Sequence, residues 1–112
     1  MKGHHMRTIL YIGVLIAACC GVAAAAQSKP AATEITIDNF SFTPPDAKVP
    51  VGATVTWVNH DDIPHTVVST DKVFKSKVLD SDEKYSFTFT TAGTFTYFCS
   101  IHPKMTGKVI VQ

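Results

Sequence analysis

The sequence predicts an all-β domain, an antiparallel β-sandwich of about seven or eight short strands, on three observations. Apolar residues recur with a period of two at Ile35 and Ile37, at Tyr85, Phe87 and Phe89, and at Phe95, Tyr97 and Cys99, as strands with one buried face require. Turn signals punctuate the chain at Pro44-Pro45, Pro50-Val51-Gly52 and Thr91-Ala92-Gly93. No convincing amphipathic helix follows the N-terminal segment, and short punctuated strands without helices pack as sheet on sheet.

The N-terminal 26 residues read as a cleaved signal peptide. Lys2 and Arg7 give a basic start, Ile9 to Ala18 is apolar but short for a membrane span, and Ala24-Ala25-Ala26 offers a small-residue cleavage site. Two alternatives stand beside this reading: an uncleaved anchor helix, and a lipobox-like Ile16-Ala17-Ala18-Cys19 that would lipidate Cys19 and tether the domain. Residues 27–33, small and polar with Pro30, form a short linker, and the domain is expected over 34–112. The exported chain would be periplasmic in a bacterium. It would hold one cysteine, Cys99, which precludes an intramolecular disulfide and calls for another reason to keep a thiol.

Of ten Lys and Arg, two lie in the leader, leaving eight against nine Asp and Glu. Neither sign dominates, so the charge points to no nucleic acid and no anionic membrane. Lys72, Lys75 and Lys77, the densest basic cluster, read as a solvated strand face.

Within the domain, Glu34 to Asp38 is a half-buried strand, with Phe40 and Phe42 continuing its period until Pro44-Pro45 stops it. Ala47 to Val49 is a short extended segment. Thr54 to Asn59 is the next strand, with Val55 and Trp57 facing inward, and His60 to Pro64 is a loop. Thr66 to Ser69 is extended again, whereas residues 70–80 fit an irregular connection, a strand or a helical turn equally. The runs around Phe87 and Tyr97 follow as strands, Trp57 and Phe87 belong to the core, and Gly107 to Val111 closes the domain.

The chemistry concentrates at the end of the Tyr97 strand, in Cys99-Ser100-Ile101-His102-Pro103-Lys104-Met105, with His65 upstream. A thiolate, two imidazoles and a thioether form the soft set that holds copper in electron-transfer sites, with the thioether as a weak axial contact. A short loop can bring three of these donors together, but the fourth must come from a neighbouring strand. Zinc has little use for a thioether, and a Cys-His nucleophile would not explain the methionine. No acid-base pair or substrate pocket is evident, so no catalytic residue is assigned and the protein is expected not to be an enzyme. His60 matches no ligand position, and Asp61 and Asp62 read as solvated.

Gly93, Phe95-Thr96-Tyr97-Phe98-Cys99, two residues to His102, two more to Met105, then Gly107-Lys108-Val109, together resemble the C-terminal half of a cupredoxin. The two-residue gap between His102 and Met105 is most similar to the amicyanin branch, and Pro64 before His65 and Pro103 after His102 also fit it. The resemblance implies a Greek-key sandwich and one type 1 copper cycling between Cu(I) and Cu(II), held by His65, Cys99, His102 and Met105. It also implies a monomeric one-electron carrier that meets donor and acceptor redox proteins briefly. Electrons would pass through the edge of His102, framed by Ile63, Pro64, Ile101 and Pro103, with Lys104, Asp61 and Asp62 biasing partner choice. Storage or delivery of copper is the alternative for the same ligands. Family members commonly carry Asn after the first histidine, where this chain has Thr66. Thr66 therefore puts the rigidity of the cysteine loop in question, with Asn59 the nearest amide in sequence.

Overall fold

The computed structural model describes residues 32–112, which form eight strands and no helix. They are β1 (Ala32–Asp38), β2 (Ser41–Thr43), β3 (Asp46–Val49), β4 (Thr54–Asn59), β5 (Val68–Ser69), β6 (Lys84–Thr88), β7 (Gly93–Phe98) and β8 (Thr106–Val111). One sheet has the order β2-β1-β4-β6 and the other β3-β8-β7-β5. The expected leader, its Cys19 and most of the expected linker lie outside the described residues. The first strand begins at Ala32, inside the span expected as linker.

The sandwich is all-β as expected, but both sheets are mixed. β1 runs parallel to β4, with Ile35 opposite Trp57, and β3 runs parallel to β8, with Ala47 opposite Val109. The direction follows from the path of the chain. It leaves the first sheet at Pro44-Pro45, lays β3 in the second, and returns through Pro50 to Gly52 to set β4 beside β1. Periodicity in a sequence reports which face is buried, not which strand is the neighbour.

The expected continuous Glu34-to-Phe42 strand is a hairpin instead. Asp38 pairs with Ser41, and Asn39 and Phe40 form the turn between them with φ of 53° and 58°. Two left-handed residues are what a tight hairpin turn needs to match strand twist. The reversal keeps Ile35, Ile37 and Phe42 inside and turns Phe40 out, leaving it 50% exposed.

Residues 70–80 are an irregular connection tied down by bridges from Lys75 to Val68 and from Leu79 to His65. It sends Phe74 and Leu79 into the core. Lys72, Lys75 and Lys77 are exposed on this connection rather than on a strand face. Trp57 is fully buried at the centre, with the rings of Phe74, Tyr85 and Tyr97 at 5.5, 5.7 and 5.4 Å. Each large apolar side chain buried this way contributes about 1.5–3 kcal/mol. Phe87 packs on this core from a partly buried position. β1 and β4 end at the pole where β7 ends and β8 begins, as the contacts between the β1–β2 turn and the cysteine loop show.

Candidate metal centre

Cys99 follows β7 directly. Its side chain is buried because it continues the inward alternation of Phe95 and Tyr97. The loop after it is two successive tight turns: the His102 N–H donates to the Cys99 carbonyl at 3.1 Å and the Met105 N–H to the His102 carbonyl at 2.8 Å. The Cys99 N–H closes the loop on the Met105 carbonyl at 3.1 Å. The two-residue gaps thus have a local cause, since each is the interior of a four-residue turn, with Pro103 at the second position where its fixed φ suits.

His65 arrives on the segment after β4 and is fully buried. Its backbone is bridged to Leu79, N–H to carbonyl in both directions, at 3.1 and 2.8 Å. The loop before it is pinned by Asn59, whose amide donates to the carbonyls of Ile63 and Leu79 at 3.0 and 2.9 Å and accepts the Asp61 N–H at 2.8 Å. Asn59 therefore steadies the His65 loop, through contacts that do not include the cysteine loop. Pro64 is exposed beside it.

One ligand atom from each of His65, Cys99 and His102 lies within 4.8 Å of the others. The Cys99 Sγ is 3.6 Å from Nδ1 of His65 and 3.8 Å from Nδ1 of His102. Met105 is buried at the end of the same loop. His60 stays out of this cluster, exposed and 3.8 Å from Asp82. Three soft donors converging around one point, with a thioether close in sequence, fit copper by the chemistry of the set.

Thr66 answers the question raised by its identity. Its hydroxyl accepts the Ser100 N–H at 2.7 Å and lies 2.8 Å from the Ser100 hydroxyl, while its own N–H points at the Cys99 Sγ at 3.4 Å. Thr66 thus ties the His65 segment to the cysteine loop through both its hydroxyl and its backbone N–H.

Two residues in the site were not expected there. Asp61, read from the sequence as solvated, turns its carboxylate inward to Nε2 of His65 at 2.8 Å. A carboxylate accepts, so Nε2 carries the proton of this bond, an outer contact of the kind that orients a ligating histidine. The hydrogen bond from His65 and then that from the Phe40 N–H hold the Asp61 carboxyl below its usual range. Phe40 is the other, its ring edge-on to the imidazoles of His65 and His102 at 5.7 and 5.0 Å. A carboxylate four residues before a ligand-type histidine, and Asn-Phe between two alternating runs, were the signals available for each.

Burial by itself would push the Cys99 thiol up. The Thr66 N–H, both imidazoles and the Ile101 N–H outweigh it and bring the thiol down to about 6. An unfolded cysteine ionises near about 8.5, so the unfolded chain binds more protons between these values. Stability of the metal-free protein is therefore expected to rise with pH from about 6 to about 8.5, and to lose this contribution as pH falls through about 6. Urea midpoints measured across that range should show the rise in the wild type and a flatter profile in Cys99→Ala.

A sandwich with a buried thiolate-forming cysteine, two histidines and a methionine at one pole defines a class of small metal-binding β proteins. The family model described as a cupredoxin-like domain matches residues 9–111. Amicyanin from Paracoccus denitrificans is 38% identical over 94 residues, covering 80% of this chain and 72% of that one. Amicyanin-alpha from Methylorubrum extorquens is 35% identical over 102 residues, 86% of each chain. Among solved structures, a purple cupredoxin from Nitrosopumilus maritimus superposes with a TM-score of 0.70 at 32% identity, over 71% of this chain and 99% of that one. The chain belongs to the cupredoxin-like family, and copper is its cofactor.

Proposed function

We propose that this protein is a periplasmic type 1 copper protein that carries one electron at a time between two redox proteins. His65, Cys99, His102 and Met105 hold the metal. The observation that carries the reading is the convergence of one ligand atom each from His65, Cys99 and His102 within 4.8 Å, two of them in a loop already closed by its own backbone hydrogen bonds. Copper bound there supplies a Cu(I)/Cu(II) couple. The chain's part is to hold the donors in nearly one geometry for both states, through Asp61 on His65, Thr66 on the cysteine loop and the two turns over Cys99 to Met105.

His102 is the partly exposed member of the set. Ile101, Pro103 and Pro64 are exposed around it, Ile63 is half-buried, and Phe40 adds a ring to the patch. A compact apolar face suits brief encounters that bury little area. Lys104 and Asp62 are exposed and free to bias partner choice, whereas Asp61 is engaged with His65. The protein acts as a monomer in transient complexes.

The test is the visible and EPR spectrum of the Cu(II) protein together with its voltammetry. An intense thiolate-to-copper band and reversible one-electron cycling are expected. Colourless copper-loaded protein that yields its metal readily to a chelator would support storage or delivery instead.

Thr66→Ala is expected to retain copper. It leaves the Ser100 N–H without its acceptor, which costs about 1 kcal/mol of stability, and shifts the potential by tens of millivolts, on the order of what a weakened hydrogen bond converts to in a one-electron couple. Complete loss of copper in this variant would show that Thr66 does more than steady the loop.

A further inference from the structure

We propose that Phe40 is a positioning residue for the histidine pair: the Asn39–Phe40 turn latches His65 and His102 to each other from the β1–β2 hairpin. The proposal rests on the copper reading for its consequence, though not for its geometry.

Phe40 is in an expensive place for a phenylalanine. At φ 58° it occupies left-handed backbone that a bulky side chain rarely adopts and glycine adopts freely. Half of it is exposed, so core burial does not offset that cost. Strain retained at a residue outside the core points to work done at that position.

The contacts say what the work is. The ring stands nearly perpendicular to both imidazoles, at 88° and 5.7 Å to His65 and at 87° and 5.0 Å to His102. These separations lie within the favourable range for edge-to-face pairs. The same residue's N–H donates at 3.1 Å to Asp61 Oδ2, the oxygen that lies 2.8 Å from His65 Nε2. One turn thus reaches His65 twice, through the ring and through Asp61, and His102 once.

His102 needs such a contact more than His65 does. His65 is buried, bridged to Leu79 and bound to Asp61. His102 is partly exposed, and among the described residues the polar contact to its ring is the 3.8 Å approach of Nδ1 to Cys99 Sγ. The Phe40 ring is therefore a main restraint on the orientation of the exposed histidine. Were Phe40 only part of a docking face, its removal would alter encounters with partners and leave the isolated protein unchanged.

The experiment compares wild type, Phe40→Gly and Phe40→Tyr without any partner. Metal-free samples are followed by NMR of the imidazole protons, and Cu(I) samples by the rate of copper release to a chelator. Wild type is expected to show NOEs from the Phe40 ring to both imidazoles. Phe40→Gly, which suits the turn backbone better, is nonetheless expected to give averaged His102 ring signals and about tenfold faster release. Phe40→Tyr should restore both. Absent NOEs in the wild type, or Phe40→Gly signals and release unchanged from wild type, would overturn the proposal. Should Phe40→Gly fail to fold, Phe40→Leu decides, since it keeps apolar bulk without the aromatic edge, and wild-type release there would also overturn it. The metal-free NMR is independent of electron transfer, so a failure of the carrier reading leaves its outcome readable.

Discussion

Cys99→Ser is expected to abolish the intense visible band expected of the copper-loaded protein and to weaken copper binding by more than about a hundredfold, beyond the 10–100-fold typical of losing an outer partner of a ligand. The site favours the thiolate over the thiol, since Cys99 Sγ receives the Thr66 N–H at 3.4 Å and lies 3.6 and 3.8 Å from the two Nδ1 atoms. A serine hydroxyl in the same place stays protonated at neutral pH and is too hard a donor for Cu(I). The fold should survive, because a hydroxyl can still accept from Thr66 and the substitution removes no more than one atom's worth of volume. Titration with Cu(II), read by absorbance and EPR, with circular dichroism as the control for folding, makes the comparison. A Cys99→Ser protein that keeps its colour would place the metal elsewhere.

Gly107→Ala is expected to lower stability by about 1–3 kcal/mol, and hence the melting temperature by roughly 5–20 °C for a domain of this size. Gly107 lies in β8 directly opposite Tyr97. A Cβ there would meet the Tyr97 hydroxyl oxygen at 2.5 Å and its Cζ at 2.6 Å, far inside contact distance. The ring has little room to retreat, being 1% exposed and held between Phe42 at 4.7 Å and Trp57 at 5.4 Å. Tyr97→Phe in the same chain should recover only part of the loss, since Cζ remains in the way. A melting temperature unchanged in Gly107→Ala would show that the Tyr97 ring can move, and that the core around Trp57 is looser than its contacts indicate.

Most strands were legible because one-face burial imposes a period of two, and Tyr85 to Phe89 and Phe95 to Cys99 keep it faithfully. The candidate donor set stood out for a related reason. Cys99, His102 and Met105 are local, and a turn that closes over two residues leaves its mark in the spacing. Phe40 misled because an alternating pattern continues through a two-residue turn without a break in hydrophobicity. The change of direction is carried by φ at Asn39 and Phe40, which composition only hints at. Asp61 misled because a charged loop residue is usually solvated, and what draws it inward is His65 Nε2 together with the Phe40 N–H, a group 21 residues away in the chain.

By itself the sequence determined the all-β class and the turns that cut it, and it offered four candidate donors in a fixed order, three of them near neighbours along the chain. Only the tertiary structure decided that β1 lies parallel to β4 and β3 to β8, and that Thr66 grips Ser100. It alone also made one hairpin turn supply both the ring edge-on to His102 and the second hydrogen bond to the Asp61 carboxylate. Those relations depend on which distant segments meet. They are selected by the packing of the whole core around Trp57, which no local spacing encodes.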